Sequence, residues 1–90
     1  MSETLEAPIG TDSVPFAVLD YLARSIVDDQ DAVQIEIDAV PAGLILRLRV
    51  APDDMGKVIG KRGRVAQSIR TLVRAAGARE GVNVNVDIVD

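Results

Sequence analysis

The residues best suited to chemistry in this 90-residue sequence lie in one stretch, GKVIGKRGR at positions 56–64. The stretch holds three glycines and four cations around a Val-Ile pair. Glycine permits sharp turns and close approach of another backbone, while lysine and arginine bind phosphate and carboxylate oxygens. The combination predicts an anionic ligand that comes close to the main chain.

Charge is unevenly distributed, so the net charge of −4 is a poor guide to the ligand. The segment from Gly56 to Arg79 contains seven basic residues and no acidic residue. The rest of the chain contains three basic and fourteen acidic residues. Because the local field steers a charged ligand, the basic segment is the candidate binding site.

Spacing excludes two common phosphate-binding loops. A Walker A loop requires GxxxxGK[ST], but Gly56 and Gly60 enclose only three residues. Arg62 also stands where serine or threonine would hold magnesium. A Rossmann GxGxxG requires a glycine two positions before Gly60, and the chain has Val58 there. What fits is a tight G-x-x-G turn.

This turn runs from Gly60 to Gly63 and holds Lys61 and Arg62 at its tip. It leads into Arg64 at the predicted start of a helix, where unpaired N–H groups and the dipole favour an anion. Glycines for close approach, together with amides and cations for charge, suit a sugar-phosphate backbone.

Composition argues against other functions. With neither cysteine nor histidine, disulfides and thiolate chemistry are excluded, and we expect no metal site. Asp53 and Asp54 are explained by a helix first turn, and no catalytic constellation lies near the glycines. We therefore expect no enzyme activity, cofactor or small-molecule substrate. Without a signal peptide or a membrane-length apolar run, we expect a cytoplasmic protein with no membrane partner.

The chain divides into a flexible acidic N-terminal tail, residues 1–12, and a single domain, residues 13–90. Ser13 predicts a helix N-cap with Pro15 in the first turn. Apolar residues then recur at helical spacing until Asp28 and Asp29, where carboxylates oppose the helix dipole. The domain therefore begins with a helix.

Three segments alternate apolar and polar residues and predict strands, at 33–38, 44–50 and 82–88. The short turn at 40–43 makes the first two an antiparallel hairpin. A helical crossover makes the second and third parallel neighbours. Each strand has one apolar face.

Two helices flank the glycine turn. Pro52 begins a short helix that Gly60 interrupts, and a longer helix runs from Gly63 to about Ala76, with Gly77 as its stop. The order α-β-β-α-α-β predicts an α+β fold in which helices pack on one face of a three-stranded mixed sheet.

The glycine turn resembles the GxxG loop of KH domains, since VIGKRG stands between a short and a longer helix. The element order resembles the type II arrangement found in bacterial proteins. The wider segment APDDMGKVIGKRGRVAQSIRTLVRAA is similar to the small single-domain bacterial KH proteins of the KhpA family. The resemblance covers roughly residues 14 to 90. It implies a loop that clamps the backbone of about four nucleotides of single-stranded RNA.

The resemblance also implies roles within the site. The GxxG residues would form the clamp, and Arg64 would lie close to phosphate. Val58 and Ile59 would build the apolar side of a groove, with direct base contact and core packing both open for each. Gly56 and Lys57 would flank the groove, and Gly56 could also let the short helix pack closely on its neighbour. The implied RNA-binding set is Gly56, Lys57, Val58, Ile59, Gly60, Lys61, Arg62, Gly63 and Arg64.

Other cations are assigned to the surface rather than to RNA. Arg70 and Arg74 share a helix face and either extend the phosphate track or are solvated, and we expect the solvated face. Arg47 and Arg49 are expected to form cross-strand ion pairs with acidic residues of the partner strand.

The two aromatic residues, Phe16 and Tyr21, lie on the first predicted helix, and we expect them in the core or an interface. Their position argues against an RRM, an OB-fold or a cold-shock domain, which stack bases on aromatic side chains.

Two functions stay open at this stage. By resemblance, the first is an RNA-binding protein and RNA chaperone that acts as a homodimer or with a larger KH partner of the KhpB (Jag) family. The same resemblance links it to cell envelope synthesis and cell shape. The second is a KH-like protein-interaction or dimerisation module that has lost RNA binding. Intact Lys61 and Arg62 favour the first.

Overall fold

The computed structural model describes residues 13–89, which form an α+β domain. The predicted order α-β-β-α-α-β is confirmed. The elements are α1 (Val14–Ile26), β1 (Gln34–Val40), β2 (Gly43–Arg49), α2 (Met55–Ile59), α3 (Arg64–Arg79) and β3 (Val84–Ile88). The predicted tail, residues 1–12, lies outside the described residues. No helix within residues 13–89 has the length and apolar character needed to cross a membrane.

Helix α1 begins where the sequence predicts. The Ser13 hydroxyl accepts a hydrogen bond from the Phe16 N–H at 3.3 Å, which satisfies an otherwise unpaired helix donor. Pro15 occupies the first turn and is buried. The helix ends at Ile26, just before the two aspartates that the sequence placed at its end.

The sheet has the order β1-β2-β3. Ile37 pairs with Leu46 in the antiparallel β1-β2 ladder, and Leu46 pairs with Val86 in the parallel β2-β3 ladder. Both predicted pairings are confirmed. One face of the sheet packs against the helices. The core there contains Leu19, Ala23, Val27, Val33, Leu46, Leu48, Val58, Ile69, Val73, Val84 and Val86.

The opposite, outer face of the sheet carries ion pairs. Arg47 lies 2.8 Å from Asp38 on β1 and 3.7 Å from Asp87 on β3, and Arg49 lies 3.8 Å from Glu36. The hydrogen bond that Arg47 donates to the Asp38 carboxylate raises the pKa of Arg47. The predicted cross-strand pairs are confirmed, and they neutralise both arginines of β2.

The predicted helix stop at Gly77 is wrong, because α3 continues beyond it. The stop is Gly81, whose φ of +72° favours glycine. Its N–H donates to the Ala78 carbonyl at 3.0 Å, and the Val82 N–H donates to the Gly77 carbonyl at 2.9 Å, which is a Schellman motif. Gly77 has a packing role instead, since a Cβ there would lie 2.6 Å from Val84 Cγ2.

Candidate nucleic-acid interface

The turn between α2 and α3 depends on Gly60. Its φ is +76° and its ψ 174°, a conformation that residues with a side chain rarely adopt. A Cβ at this position would lie 2.3 Å from Val65 Cγ2 and 2.9 Å from the Val65 nitrogen. Gly60 therefore brings the end of α2 against the first turn of α3, closer than any other residue would allow.

The tip of the turn is also in an uncommon conformation. Arg62 has φ +59° and ψ 25°, and it is the one non-glycine residue with positive φ among residues 13–89. Gly63 follows with φ +73°, and its N–H donates to the Gly60 carbonyl at 3.1 Å. A left-handed arginine costs about 1 kcal/mol, and such strain is concentrated at functional sites.

Three loop cations are available to a ligand. Lys61, Arg62 and Arg64 are exposed, and none has a carboxylate partner within 4.0 Å among residues 13–89. They stand at the N-terminus of the 16-residue helix α3, whose N-cap Gly63 provides no side-chain hydrogen bond. Cations and unpaired helix N–H groups therefore meet at one point, an arrangement that favours an anion.

Lys57 lies on the same short segment but has a different environment. Its Nζ forms an ion pair with Asp28, in the turn after α1, and lies 3.7 Å from Asp54. The hydrogen bond to Asp28 raises the pKa of Lys57. Lys57 therefore links α2 to the turn after α1. Its contact with RNA stays a prediction.

Asp54 is the carboxylate at the centre of this junction, and its side chain is only 4% exposed. It accepts hydrogen bonds from the Asp28 N–H at 3.2 Å and the Asp29 N–H at 3.0 Å. The N–H groups of Asp29 and Asp28 lower the pKa of Asp54. The sequence explained Asp54 only as a carboxylate in the first turn of a helix. It did not reveal the role at this junction, because no local pattern indicates hydrogen-bond partners 25 and 26 residues away.

The remaining predicted site residues lie on α2. Val58 is 0% exposed and belongs to the core, so it supports the surface from beneath, whereas Ile59 is half-buried. Gly56 is exposed, and a Cβ there would meet no atom within 4 Å. The expected role of Gly56 in close helix packing is therefore wrong.

The two arginines farther along α3 differ from each other. Arg74 is exposed, as expected, but Arg70 is half-buried, and its Nε donates to the Val86 carbonyl at 3.3 Å. From Asn83 onward, every second carbonyl of this segment accepts a hydrogen bond from β2, as the Asn83 carbonyl does from the Leu44 N–H. The Val86 carbonyl belongs to the other set and therefore points to the free edge of β3. The expectation of a solvated Arg70 is wrong, since it covers the sheet edge.

An exposed apolar face lies on α1 and α3. Tyr21 is 71% exposed, Leu72 is 51% exposed and Val14 is 48% exposed. They border a groove between the two helices. Tyr21 is therefore not a core residue, and Phe16 is half-buried.

The fold and the glycine turn together define a KH-domain protein of the α-β-β-α-α-β type. The family model described as KhpA/KhpB, KH domain matches residues 17–88. The RNA-binding protein KhpA of Clostridium acetobutylicum is 47% identical over 72 residues, which are 80% of this chain and 96% of the relative. That of Caldanaerobacter subterraneus subsp. tengcongensis is 50% identical over 68 residues, or 76% and 91% of the two chains. This chain belongs to the KhpA/KhpB KH-domain family.

Solved structures of Era share the fold. A point variant of Aquifex aeolicus Era bound to GDP.AlF4- matches with a TM-score of 0.59 at 14% identity, over 96% of this chain and 35% of that chain. Era in complex with MgGDPNP and nucleotides 1506–1542 of 16S ribosomal RNA matches with a TM-score of 0.60 at 14% identity, over 98% of this chain and 35% of that chain. At this identity the likeness supports the fold alone.

Proposed function

We propose that this protein binds single-stranded RNA in the cytoplasm and that its GxxG loop clamps the sugar-phosphate backbone. The observation that carries the proposal is the group of three exposed loop cations, Lys61, Arg62 and Arg64, without carboxylate partners among residues 13–89. The names of the relatives as RNA-binding proteins support the same ligand.

The binding mode follows from the geometry of the loop. Gly60 lets the turn pack against Val65, and Gly63 has open space where a side chain would stand, so a phosphate can approach the amides at the start of α3. Lys61 and Arg62 then add charge at the tip. Because these groups contact phosphate rather than base edges, we expect weak sequence preference and strong salt dependence.

The test replaces the two tip cations. The variant Lys61→Asp/Arg62→Asp is titrated with a short fluorescent single-stranded RNA at low salt, after circular dichroism confirms its fold. A matched control, Arg74→Asp/Arg79→Asp, makes the same charge change on exposed positions at the other end of α3. We expect the loop variant to lose roughly 100-fold in affinity and the control only a few-fold. Equal affinities of wild type and loop variant would overturn the proposal.

RNA binding by such a small domain also bears on its oligomeric state. One KH domain holds few nucleotides, so a second module would raise the affinity through avidity. We propose a homodimer, or a heterodimer with a larger KH protein of the KhpB (Jag) family, on the basis of family membership. The exposed Tyr21 and Leu72 side chains make the α1-α3 face the first surface to test. In sedimentation velocity, Leu72→Glu should yield monomers, and an unchanged dimer would exclude this face.

The proposed cellular role is that of an RNA chaperone linked to cell envelope synthesis and cell shape, and it too rests on family membership. An RNA strand-annealing assay with wild type and the Lys61→Asp/Arg62→Asp variant tests the chaperone activity. Cell shape after replacement of the chromosomal gene by the same variant tests the link to the envelope.

The alternative function is a protein-interaction module without RNA binding. The specific observation in its favour is Tyr21, which is 71% exposed on α1. The two functions separate in one experiment. In the alternative, Leu72→Glu disrupts assembly, whereas Lys61→Asp/Arg62→Asp assembles like wild type and neither protein binds RNA.

A further inference from the structure

The N-terminal segment, residues 1–12, and helix α3 carry opposite charge. The segment contains Glu3, Glu6 and Asp12 and no basic residue. The loop and α3, residues 61–79, contain six basic residues and no acidic residue. Five of these six are exposed and have no carboxylate partner among residues 13–89: Lys61, Arg62, Arg64, Arg74 and Arg79. Because opposite charges attract, the loop and α3 form the surface of the domain that best complements the segment.

The segment joins the domain beside a groove at the C-terminal end of α3. It directly precedes Ser13, the N-cap of α1. The next residue, Val14, is exposed and lines the groove, whose other lining residues are Ala75, Ala76, Arg79 and Glu80. The valine and the two alanines offer apolar contact, and the charges of Arg79 and Glu80 are opposite. The groove therefore suits an apolar side chain of the segment.

The segment is long enough to run from this groove to the GxxG loop. Helix α3 has 16 residues and is therefore about 24 Å long. An extended chain advances about 3.4 Å per residue, so Glu3 can lie up to about 34 Å from Ser13 and Glu6 up to about 24 Å. The helix dipole favours carboxylates at the N-terminus of α3, which is the end at the loop. Both glutamates are therefore attracted towards the loop cations.

We propose that residues 1–12 dock along α3 of their own chain and compete with RNA for the loop cations. Ile9 lies in the groove beside Val14, and Glu3 and Glu6 lie near the loop. Exposed ion pairs are weak, but tethering gives the segment a high effective concentration. A ligand displaces the segment only when several phosphates bind together, which favours a nucleic-acid strand over small anions. This inference rests on the proposed RNA binding and adds an intramolecular competitor to it.

Docking is tested first without RNA. The chain has no cysteine, so Thr4→Cys can carry a single nitroxide spin label. We expect the label to broaden the NMR signals of backbone amides in residues 61–79 more than those of β1. The matched control adds Glu3→Gln/Glu6→Gln/Asp12→Asn to the labelled chain, and its broadening should fall to the level of β1.

Two results of the labelling experiment would overturn docking on the same chain. The first is equal broadening with and without the three carboxylates, since charge would then not hold the segment on α3. The second is broadening that arises only between a spin-labelled chain and a separate isotope-labelled chain, which would place the segment on a second copy. Addition of RNA should restore the broadened signals if the two compete.

Competition is tested by titration with a short single-stranded RNA. At low salt, Glu3→Gln/Glu6→Gln/Asp12→Asn should bind about fivefold more tightly than wild type. The difference should vanish at high salt, because ions screen exposed charges. The matched control, Asp29→Asn/Asp31→Asn/Asp53→Asn, removes three exposed carboxylates outside the segment and should gain no more than about twofold.

The outcomes separate the competitor from the clamp. Equal gains in the two triple variants would mean that net charge acts without docking, and no gain in the segment variant would exclude competition; either result overturns the proposal and leaves the clamp intact. If Lys61→Asp/Arg62→Asp retains full RNA affinity, the clamp fails and the competition fails with it, whereas the broadening measured without RNA still decides whether the segment docks.

Discussion

Two regions of this protein carry basic residues, and they differ in what surrounds the charge. On the outer face of the sheet, Arg47 lies between Asp38 and Asp87. At the GxxG loop, Lys61 and Arg62 are exposed and have no carboxylate partner among residues 13–89. The difference is that neighbouring carboxylates neutralise the sheet arginines, whereas the loop cations keep their charge available.

Lys57 shows how sharply the two environments can change within a few residues. Lys57 stands four positions before Lys61, yet it forms ion pairs with Asp28 and Asp54, as the sheet arginines do with their neighbouring carboxylates. Exposed ion pairs contribute little to stability, but they remove charge that a phosphate would otherwise meet. Between Lys57 and Arg64, the charge without a carboxylate partner among residues 13–89 therefore begins at Lys61.

The largest expected effect comes from breaking the shape that presents the loop cations. Gly60→Ala would place a Cβ 2.3 Å from Val65 Cγ2 at a φ of +76°. We expect a loss of about 3 kcal/mol in the free energy of unfolding and no measurable RNA binding. Gly63→Ala is the control, because its Cβ meets open space and only its φ of +73° is unfavourable. Its cost should be about 1 kcal/mol in urea unfolding, and equal costs would contradict the steric argument.

The second-largest effect is expected from a change at Asp54, the buried carboxylate at the junction of α2 with the turn after α1. Asp54→Asn keeps one acceptor oxygen but presents an NH₂ group to the second backbone N–H, so the melting temperature at pH 7 should fall by about 5 °C or more. The pKa of Asp54 is lowered from its ordinary value of 3.8. Its stabilisation is therefore complete above that value and is lost as the pH falls through the folded-state pKa.

The check on this sign is a pair of thermal scans across pH. The difference between wild type and Asp54→Asn should be largest near neutral pH and should shrink below pH 3.8. A difference that grows towards acid would show that the carboxyl group acts in its protonated form.

The third prediction compares the salt dependence of RNA binding after one cation is removed from the loop or from the sheet. Lys61→Ala should reduce the slope of log affinity against log salt by about 1, because one phosphate contact is lost. Arg49→Ala removes a cation paired with Glu36 on the sheet and should leave that slope unchanged. Titrations of one RNA at several salt concentrations measure both slopes. Equal decreases would mean that the sheet face also contacts phosphate.

The smallest effect is expected at the best-paired cation. Arg47→Met removes the ion pairs with Asp38 and Asp87. We expect a melting temperature lower by only about 1–3 °C, since half-exposed pairs are screened by water, and an unchanged RNA affinity. Reduced affinity in this variant would erase the distinction between the two regions.

Much of the fold was predictable because its signals are local. The alternating residues of β2 and β3 identify strands, and Ser13 identifies the start of α1, each within a few residues. The spacing of Gly60 and Gly63 predicts the turn, and their φ values of +76° and +73° agree with the need for glycine. The two strand pairings followed from the lengths of the connections.

The predictions that proved wrong concern residues whose role depends on packing between one element and the next. Gly77 has the character of a helix stop, but Val84 packs against it, and Gly81 ends the helix. Arg70 has the spacing of a solvated residue, but the free edge of β3 lies within its reach. Local spacing carries no information about either neighbour.

The sequence by itself determined the element order, the KH-type loop and the concentration of cations in residues 56–79, because these depend on residue types and short spacings. Only the tertiary structure decided which cations are available. It placed Asp28 beside Lys57 and left Lys61 and Arg62 exposed, without carboxylate partners among residues 13–89. The physical reason is that pairing depends on distances between side chains far apart in sequence, and folding alone fixes those distances.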